Sequence, residues 1–355
     1  MSSAVGRRAT WIFGASVFFT LYVSLLVYPA ARIVHLLLPD QAFAMGLAIT
    51  FCTPILIRIW VELTPSRFTR ALSRISLTFL GVCFIAWTPV VLFELINLAV
   101  PLNPTAAGTA LLTIVGLLSG YACFNAQHIR LERVHIDAPD ALKGQVIAQV
   151  SDLHIGSLHP RQLKRVVRLL EGARPDYVVL TGDIVDFKEI AAEELAPLRE
   201  LTAPTYFIIG NHERYVDVDD ICARIEGHGV TVLRNASVID EHVQFIGIDD
   251  AERKDQLARE LPDLHPAAGK FRVLLYHRPD GAEDAAAWGA HLMLAGHTHN
   301  GQIVPFNFLV QRYFPRTAGL HHVNGCQLHV STGTGVWGPV LRLGSSSSIS
   351  LLQLG

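Results

Sequence analysis

Four long apolar stretches fill the first third of the chain, and no other feature restricts its folding as much. They run from about Thr10 to Leu38, Ala42 to Trp60, Leu77 to Val100 and Thr105 to Phe124. Roughly 20 apolar residues span a bilayer as a helix, and these stretches lack the polar face of a soluble core helix. The expectation is a membrane domain over 1–125 with about four transmembrane helices. A buried soluble bundle is the alternative, and the missing polar face argues against it. Composition changes at the same boundary. Before residue 125 every basic residue is Arg and His35 is the one histidine, while the other fifteen of the sixteen histidines follow it.

The arginines suggest an orientation. Arg7 and Arg8 precede the first stretch, Arg67, Arg70 and Arg74 lie between the second and third, and Arg130, Arg133 and Lys143 follow the fourth. The loop near Pro101 to Pro104 carries no charge, and the loop between the first two stretches has Arg32 opposed by Asp40. Cytoplasmic loops carry the excess of Lys and Arg, so the N-terminus, the middle loop and everything after the fourth stretch are expected in the cytoplasm, at a cell (inner) membrane. Arg7-Arg8 also admits a twin-arginine export reading. Its flanks, Gly6 and Ala9-Thr10-Trp11, match poorly, and cleavage would leave three apolar stretches unexplained. Pro54 and Pro89 interrupt stretches; Arg58 can snorkel, and Glu94 is read as interfacial rather than as a functional intramembrane carboxylate.

Residues 126–144 read as a short basic linker, and 145–355 as a separate catalytic domain. Short apolar runs then alternate with polar segments. Strands are expected at Val146 to Val150, Tyr177 to Leu180, Tyr206 to Ile209, Val243 to Ile248, Val273 to Tyr276, Leu292 to Leu294, Gln327 to Val330 and Ile349 to Leu354. Pro160 to Glu171 reads as a helix with Leu163, Val166, Val167 and Leu170 on one face and Gly172 as its stop. The pattern is that of an α/β layered domain. The five cysteines, Cys52, Cys83, Cys123, Cys222 and Cys326, are scattered singly and form neither a disulfide framework nor a zinc motif. No basic run points to nucleic acid.

The residues just past each strand are informative. Asp152-Leu153-His154 comes after the first, Gly182-Asp183 after the second, Gly210-Asn211-His212-Glu213 after the third, His277 after the fifth and Gly296-His297-Thr298-His299 after the sixth. Sites in α/β sheets lie at the carboxyl ends of strands, and carboxylate, imidazole and amide oxygen are all metal ligands. Singly, each element is commonplace: an Asp-x-His is usually surface polarity, a Gly-Asp usually a turn, a lone His usually structural. Together and in order they point to a dinuclear metal site.

These motifs resemble the calcineurin-like metallophosphoesterase superfamily, from about Val146 to the C-terminus. Gly296 to Phe306 and Ser331 to Gly338 resemble transmembrane metallophosphoesterase-domain proteins and their bacterial relatives. The resemblance implies two facing β-sheets flanked by helices. It also implies that Asp152, His154 and His299 hold one metal, Asn211, His277 and His297 a second, and that Asp183 bridges both. A shared carboxylate suits two ions about 3.5–4 Å apart, and a set without cysteine suits Mn, Fe or Zn. The activity implied is hydrolysis of phosphomonoester, phosphodiester or pyrophosphate bonds by a metal-bound hydroxide. His212 is placed as the acid or transition-state stabiliser, with Glu213 either orienting it or lying at the surface. Arg214, Tyr215 and Arg278 are candidate substrate contacts; His159, His321 and His322 read as ordinary loop residues. Ser345 to Ser348 stands where related chains often carry an acid. Two alternatives stay open: a diphosphatase for a lipid-linked nucleotide of the UDP-diacylglucosamine type, and a catalytically silent membrane regulatory module. Partners expected are the phosphoester, lipid-linked or not, and membrane lipid.

Overall fold

The computed structural model describes residues 13–39, 42–157, 161–188 and 190–355. Arg7, Arg8, Asp40, His159 and Pro160 lie outside the described residues, as do the side chains of 42–51. The chain forms two compact units, Met1–Cys123 with Gly338–Leu341, and Phe124–Trp337 with Arg342–Gly355.

The first unit is helical: α1 (Phe13–Leu37), α2 (Ala42–Leu63), α3 (Arg67–Ala99) and α4 (Pro104–Gln127), the last running four residues into the second unit. Among the described residues α1, α3 and α4 are long and apolar enough to cross a membrane. Ser66 starts α3 by a reciprocal cap: its hydroxyl accepts from the Thr69 amide at 3.1 Å, and its own amide donates to Thr69 Oγ1 at 2.9 Å. Arg32 is not a loop charge. It lies inside α1 and donates from Nε to Glu94 Oε1 of α3 at 2.5 Å, beside a 3.0 Å hydrogen bond from Tyr28. Charges in apolar helices pair with one another because hydrocarbon solvates neither alone. Glu94 is therefore the partner of Arg32.

Two six-stranded mixed sheets make up the second unit. The first contains β1 (Arg130–Ile136), β2 (Val146–Val150), β3 (Tyr177–Thr181), β4 (Thr205–Ile208), β5 (Thr231–Val232) and β12 (Ser348–Leu354), ordered β1-β12-β2-β3-β4-β5. The second contains β6 (Ala236–Asp240), β7 (Val243–Ile248), β8 (Phe271–Tyr276), β9 (Leu292–Ala295), β10 (Gly319–Val323) and β11 (Cys326–Val330), ordered β10-β11-β9-β8-β7-β6. β2 to β5 run parallel, as do β7, β8, β9 and β11, so their carboxyl ends gather.

Residues 126–144 are not a free linker. α4 continues to Gln127, and Arg130–Ile136 pairs in parallel with β12 along its whole length. The segment reads as a linker because an edge strand keeps charge on its outer face; Arg130 and Arg133 are exposed while Ile136 is buried.

Period-2 alternation divides the core into layers. Ile147, Val179, Ile208, Phe245, Leu275 and Leu294 fill the space between the sheets. Ala148, Val150, Val178 and Leu180 face outward, against α5 (Arg161–Ala173) and α6 (Val218–Glu226). α5 buries Leu163, Val166, Val167 and Leu170 as its period requires, and runs past Gly172 to Ala173. α7 (Ala282–Trp288) covers the second sheet through Ala282 and Ala285. The inter-sheet layer also holds polar side chains, Gln149 of β2 with Thr181 of β3 and His329 of β11. Gln149 donates to Thr181 Oγ1 at 3.1 Å and Ala295 O at 2.9 Å, and its Oε1 faces His329 Nδ1 at 2.7 Å. This network joins β2, β3, β9 and β11 just below the strand ends.

Candidate metal centre

Asp152, Asp183 and Asn211 follow β2, β3 and β4 of the first sheet, and His277 and His297 follow β8 and β9 of the second. Each strand is held by backbone pairing, so its first loop residues converge on one place. The close approach needs glycine. A Cβ on Gly182, at φ +88°, would lie 2.6 Å from His277 Nδ1, and one on Gly210 would collide with Asp183 Oδ1. Asp152, His154, Asp183, His297 and His299 all have positive φ, between 48° and 72°. Each such non-glycine residue costs roughly 1–2 kcal/mol, and cross-loop bonds hold it. Asp152 N donates to Gly182 O and His154 N to Asp183 O, both at 3.0 Å.

Six of the seven candidate ligands come together with His212, and the seventh, Asn211, precedes His212 in the chain. Asp152, His154 and His299 place donor atoms within 4.8 Å of one another, as do Asp183, His277 and His297, and as do His154, Asp183 and His212. Two imidazole pairs face each other nitrogen to nitrogen: His154 Nε2 and His299 Nε2 at 3.1 Å, and His277 Nε2 and His297 Nδ1 at 3.2 Å. Asp183 lies between, with Oδ2 at 3.1 Å from His277 Nε2. Asn211 Oδ1 is a buried oxygen with no hydrogen-bond donor among the described residues.

The electrostatics follow from burial and pairing. Burial alone would lower His154, but Asp186, Asp183 and Asp152 carry it up to about 9. Burial likewise opposes His277, and Asp183 chiefly carries it up to about 10. Their partners go the other way: burial first, and the adjacent imidazole second, push His297 and His299 below the ordinary range. In each facing pair one imidazole thus lies above the ordinary histidine range and its partner below it. Burial works against the Asp183 charge, yet His277, His212 and His154 hold its carboxyl well below the usual range. Facing nitrogens, a carboxylate between them and an orphaned amide oxygen fit two divalent ions, one per pair.

Three contributors are not evident from the sequence. The Asp186 side chain is 8% exposed, and its Oδ1 lies 2.7 Å from both His154 Nδ1 and His212 Nδ1, while Ser157 donates to its other oxygen. It fixes both rings, leaving Nε2 of each toward the centre. Glu213 neither orients His212 nor lies at the surface. It is fully buried and accepts from four amides, Asp183 at 2.9 Å, Ile184 at 2.6 Å, Val185 at 3.1 Å and Gly210 at 2.7 Å. Arg342, also fully buried, donates to His299 Nδ1 at 3.1 Å and Gly335 O at 2.7 Å, and burial brings its guanidinium down to about 10. Nearby, Ser345 donates to His299 O at 2.8 Å.

Arg214, Tyr215 and Arg278 gather at one side. Arg278 Nε meets Asp250 Oδ2 and Arg214 Nη1 meets Asp250 O, each at 3.0 Å. Tyr215 lies edge-on to His212, ring centres 5.6 Å apart, and donates to Glu252. His321 and His322 are in β10.

The family model of the calcineurin-like phosphoesterases matches residues 146–301, the span that holds all of these strand-end ligands. This span of the chain is similar to calcineurin-like phosphoesterase domains. An uncharacterized metallophosphoesterase of Campylobacter jejuni is 30% identical over 236 residues, 63% of each chain. A transmembrane protein with metallophosphoesterase domain from Bos taurus is 32% identical over 279 residues, 69% of this chain and 60% of that one. An uncharacterized metallophosphoesterase of Aquifex aeolicus is 29% identical over 255 residues, 68% of this chain and 97% of that one. The chain therefore spans somewhat under two thirds of the first two relatives. This domain of the chain brings its strand-end motifs into one cluster, with His212, 17% exposed, among its more open side chains.

Proposed function

We propose that the protein is a membrane-bound, metal-dependent phosphoesterase, with Asp152, His154 and His299 holding one divalent ion, Asn211, His277 and His297 a second, and Asp183 shared. The observation that carries this is the pair of facing imidazole couples on either side of one buried carboxylate. When bound there, divalent ions such as Mn, Fe or Zn would supply Lewis-acid charge and a more acidic water. The chain's own residues do the rest. Asp186 holds His212 through Nδ1, which turns Nε2 toward the leaving oxygen; as the imidazolium the ring would give its Nε2 proton to that oxygen and keep the Nδ1–H on Asp186, a contribution commonly about 10²–10⁴-fold. Tyr215 stands edge-on to that ring, Arg214 and Arg278 both meet Asp250, and the three suit a phosphate or its substituent. The arginine distribution supports a multi-pass chain with the hydrolase in the cytoplasm, acting on phosphoesters at the membrane.

The purified full-length protein should hydrolyse a chromogenic phosphodiester once Mn is added. Asp183→Asn should lose both metal equivalents and nearly all turnover. A variant retaining two equivalents sinks the shared-ligand assignment, and metal-loaded wild type inert toward every mono- and diester tried would favour a silent module.

A further inference from the structure

We infer that α8 (Phe306–Tyr313), together with Trp337, is a surface that docks on the lipid interface beside the metal centre. In a soluble domain, apolar residues at i, i+3 and i+7 of a helix face the core. In α8 that stripe is Phe306, Leu309 and Tyr313, and it is 42%, 63% and 58% exposed. α8 buries no residue at all. Trp337, 56% exposed, is anchored by its backbone, exchanging hydrogen bonds with the Gln302 side chain at 2.9 and 3.0 Å.

The helix is tied to the site at both ends. Its first turn packs on Gly301, two residues past His299, so closely that a Cβ there would collide with Asn307. Just past its last residue, Phe314 stands edge-on to the His297 ring, centres 5.4 Å apart. A ligand on this helix is therefore next to the metal-binding histidines.

Lipid is the occupant the chain itself argues for. Among the described residues, three helices are long and apolar enough to cross a membrane. The chain runs directly from Trp337 into Gly338–Leu341, which belongs to the helical unit. The aromatic side chains come with exposed Arg312 and with Lys254, whose ammonium lies 4.7 Å from the Tyr313 ring centre. Aromatic and aliphatic residues combined with cations are the composition of helices that lie in the headgroup region of anionic bilayers. The consequence for substrate rests on the hydrolase reading above: the scissile phosphate would belong to a lipid headgroup.

The test uses the full chain in nanodiscs of phosphatidylcholine and phosphatidylglycerol, with a nitroxide at Leu309→Cys in a background lacking the native cysteines. Docking requires the label to collide with oxygen more than with an aqueous nickel chelate, and the preference to vanish in detergent. A label equally open to nickel in both media overturns docking. So does strong spin–spin broadening between chains, which would assign the face to a second copy. Phe306→Ser/Leu309→Ser should keep its turnover of a soluble chromogenic diester while kcat/KM for a bilayer phospholipid ester falls by at least about tenfold, from the apolar burial lost. An equal fall on both substrates overturns the delivery role. If wild type hydrolyses neither, the hydrolase reading fails, and the nitroxide depth still decides docking.

Discussion

Asp186→Asn isolates what one negative charge does for the centre. The change is nearly isosteric, and the geometry tells how the amide will sit. Both histidine Nδ1 atoms use Oδ1, and the Ser157 hydroxyl uses Oδ2. The amide can keep its oxygen toward the imidazoles and its NH2 toward the hydroxyl, which is able to accept. Charge is then lost with little change of shape. A hydrogen bond to a charged group is worth about 1.5–3 kcal/mol against about 0.5–1.5 for a neutral one, so each imidazole loses roughly 1–1.5 kcal/mol. On His154 this should appear as roughly tenfold weaker metal binding, at about 1.4 kcal/mol per tenfold, the lower end for changes behind a metal ligand. On His212 the loss of a fixed tautomer should cost about 10²–10⁴-fold in kcat even at saturating metal. Calorimetric Mn titration separates the first effect from steady-state hydrolysis at saturating Mn, which reports the second. Metal affinity and saturated kcat both within about threefold of wild type, less than 1 kcal/mol, would refute the shared-carboxylate reasoning.

Glu213→Gln replaces one of two accepting oxygens by a donor, leaving two of its four amides opposed; at about 1–3 kcal/mol each it should destabilise by about 2–6 kcal/mol, and a urea midpoint like that of wild type would contradict the clamp. His212→Ala should bind Mn normally and lower kcat by at least about 10²-fold on a poor leaving group, with partial recovery on p-nitrophenyl esters; full activity on the poor leaving group would remove His212 from proton transfer. Burial brings His329 down to about 4, below the ordinary histidine value of about 6.5. The unfolded chain takes up this proton first, so its stabilisation is complete above pH about 6.5 and declines toward pH 4, by roughly 3 kcal/mol. His329→Asn should be less stable at neutral pH yet flatter over pH 4 to 6.5 in chemical denaturation, and an unchanged pH slope would reject this.

The strands and the strand-end order of Asp152, Asp183, Asn211, His277 and His297 are legible because burial on both faces writes continuous apolar runs, and a polar ligand just past such a run stands out. β1 is not, since an edge strand with exposed Arg130 and Arg133 looks like a tether. Asp186 has a faint signal, an acid three residues after Asp183, but nothing in Gly182-Asp183-Ile184-Val185-Asp186 says which histidines fold onto it. Glu213 stands in plain view with a misleading neighbour: an acid beside a histidine suggests a partner, whereas the chain turns it under the neighbouring loop. Arg342 is invisible, because a buried arginine bonded mostly to carbonyls leaves no pattern in one dimension. Arg32 and Glu94 are 62 residues apart, and only the packing of α1 on α3 makes them a pair.

Glu213 belongs to the loop of Asn211, yet its carboxylate grips the loop of Asp183 through three successive amides. Neither loop has an independent shape to transplant. A chimaera that imports Gly182–Asp186 from a relative, or lengthens it by a residue, would set donors against an acceptor cut for other spacings. The two segments, 24 positions apart between Asp186 and Gly210, are exchangeable only as one cassette.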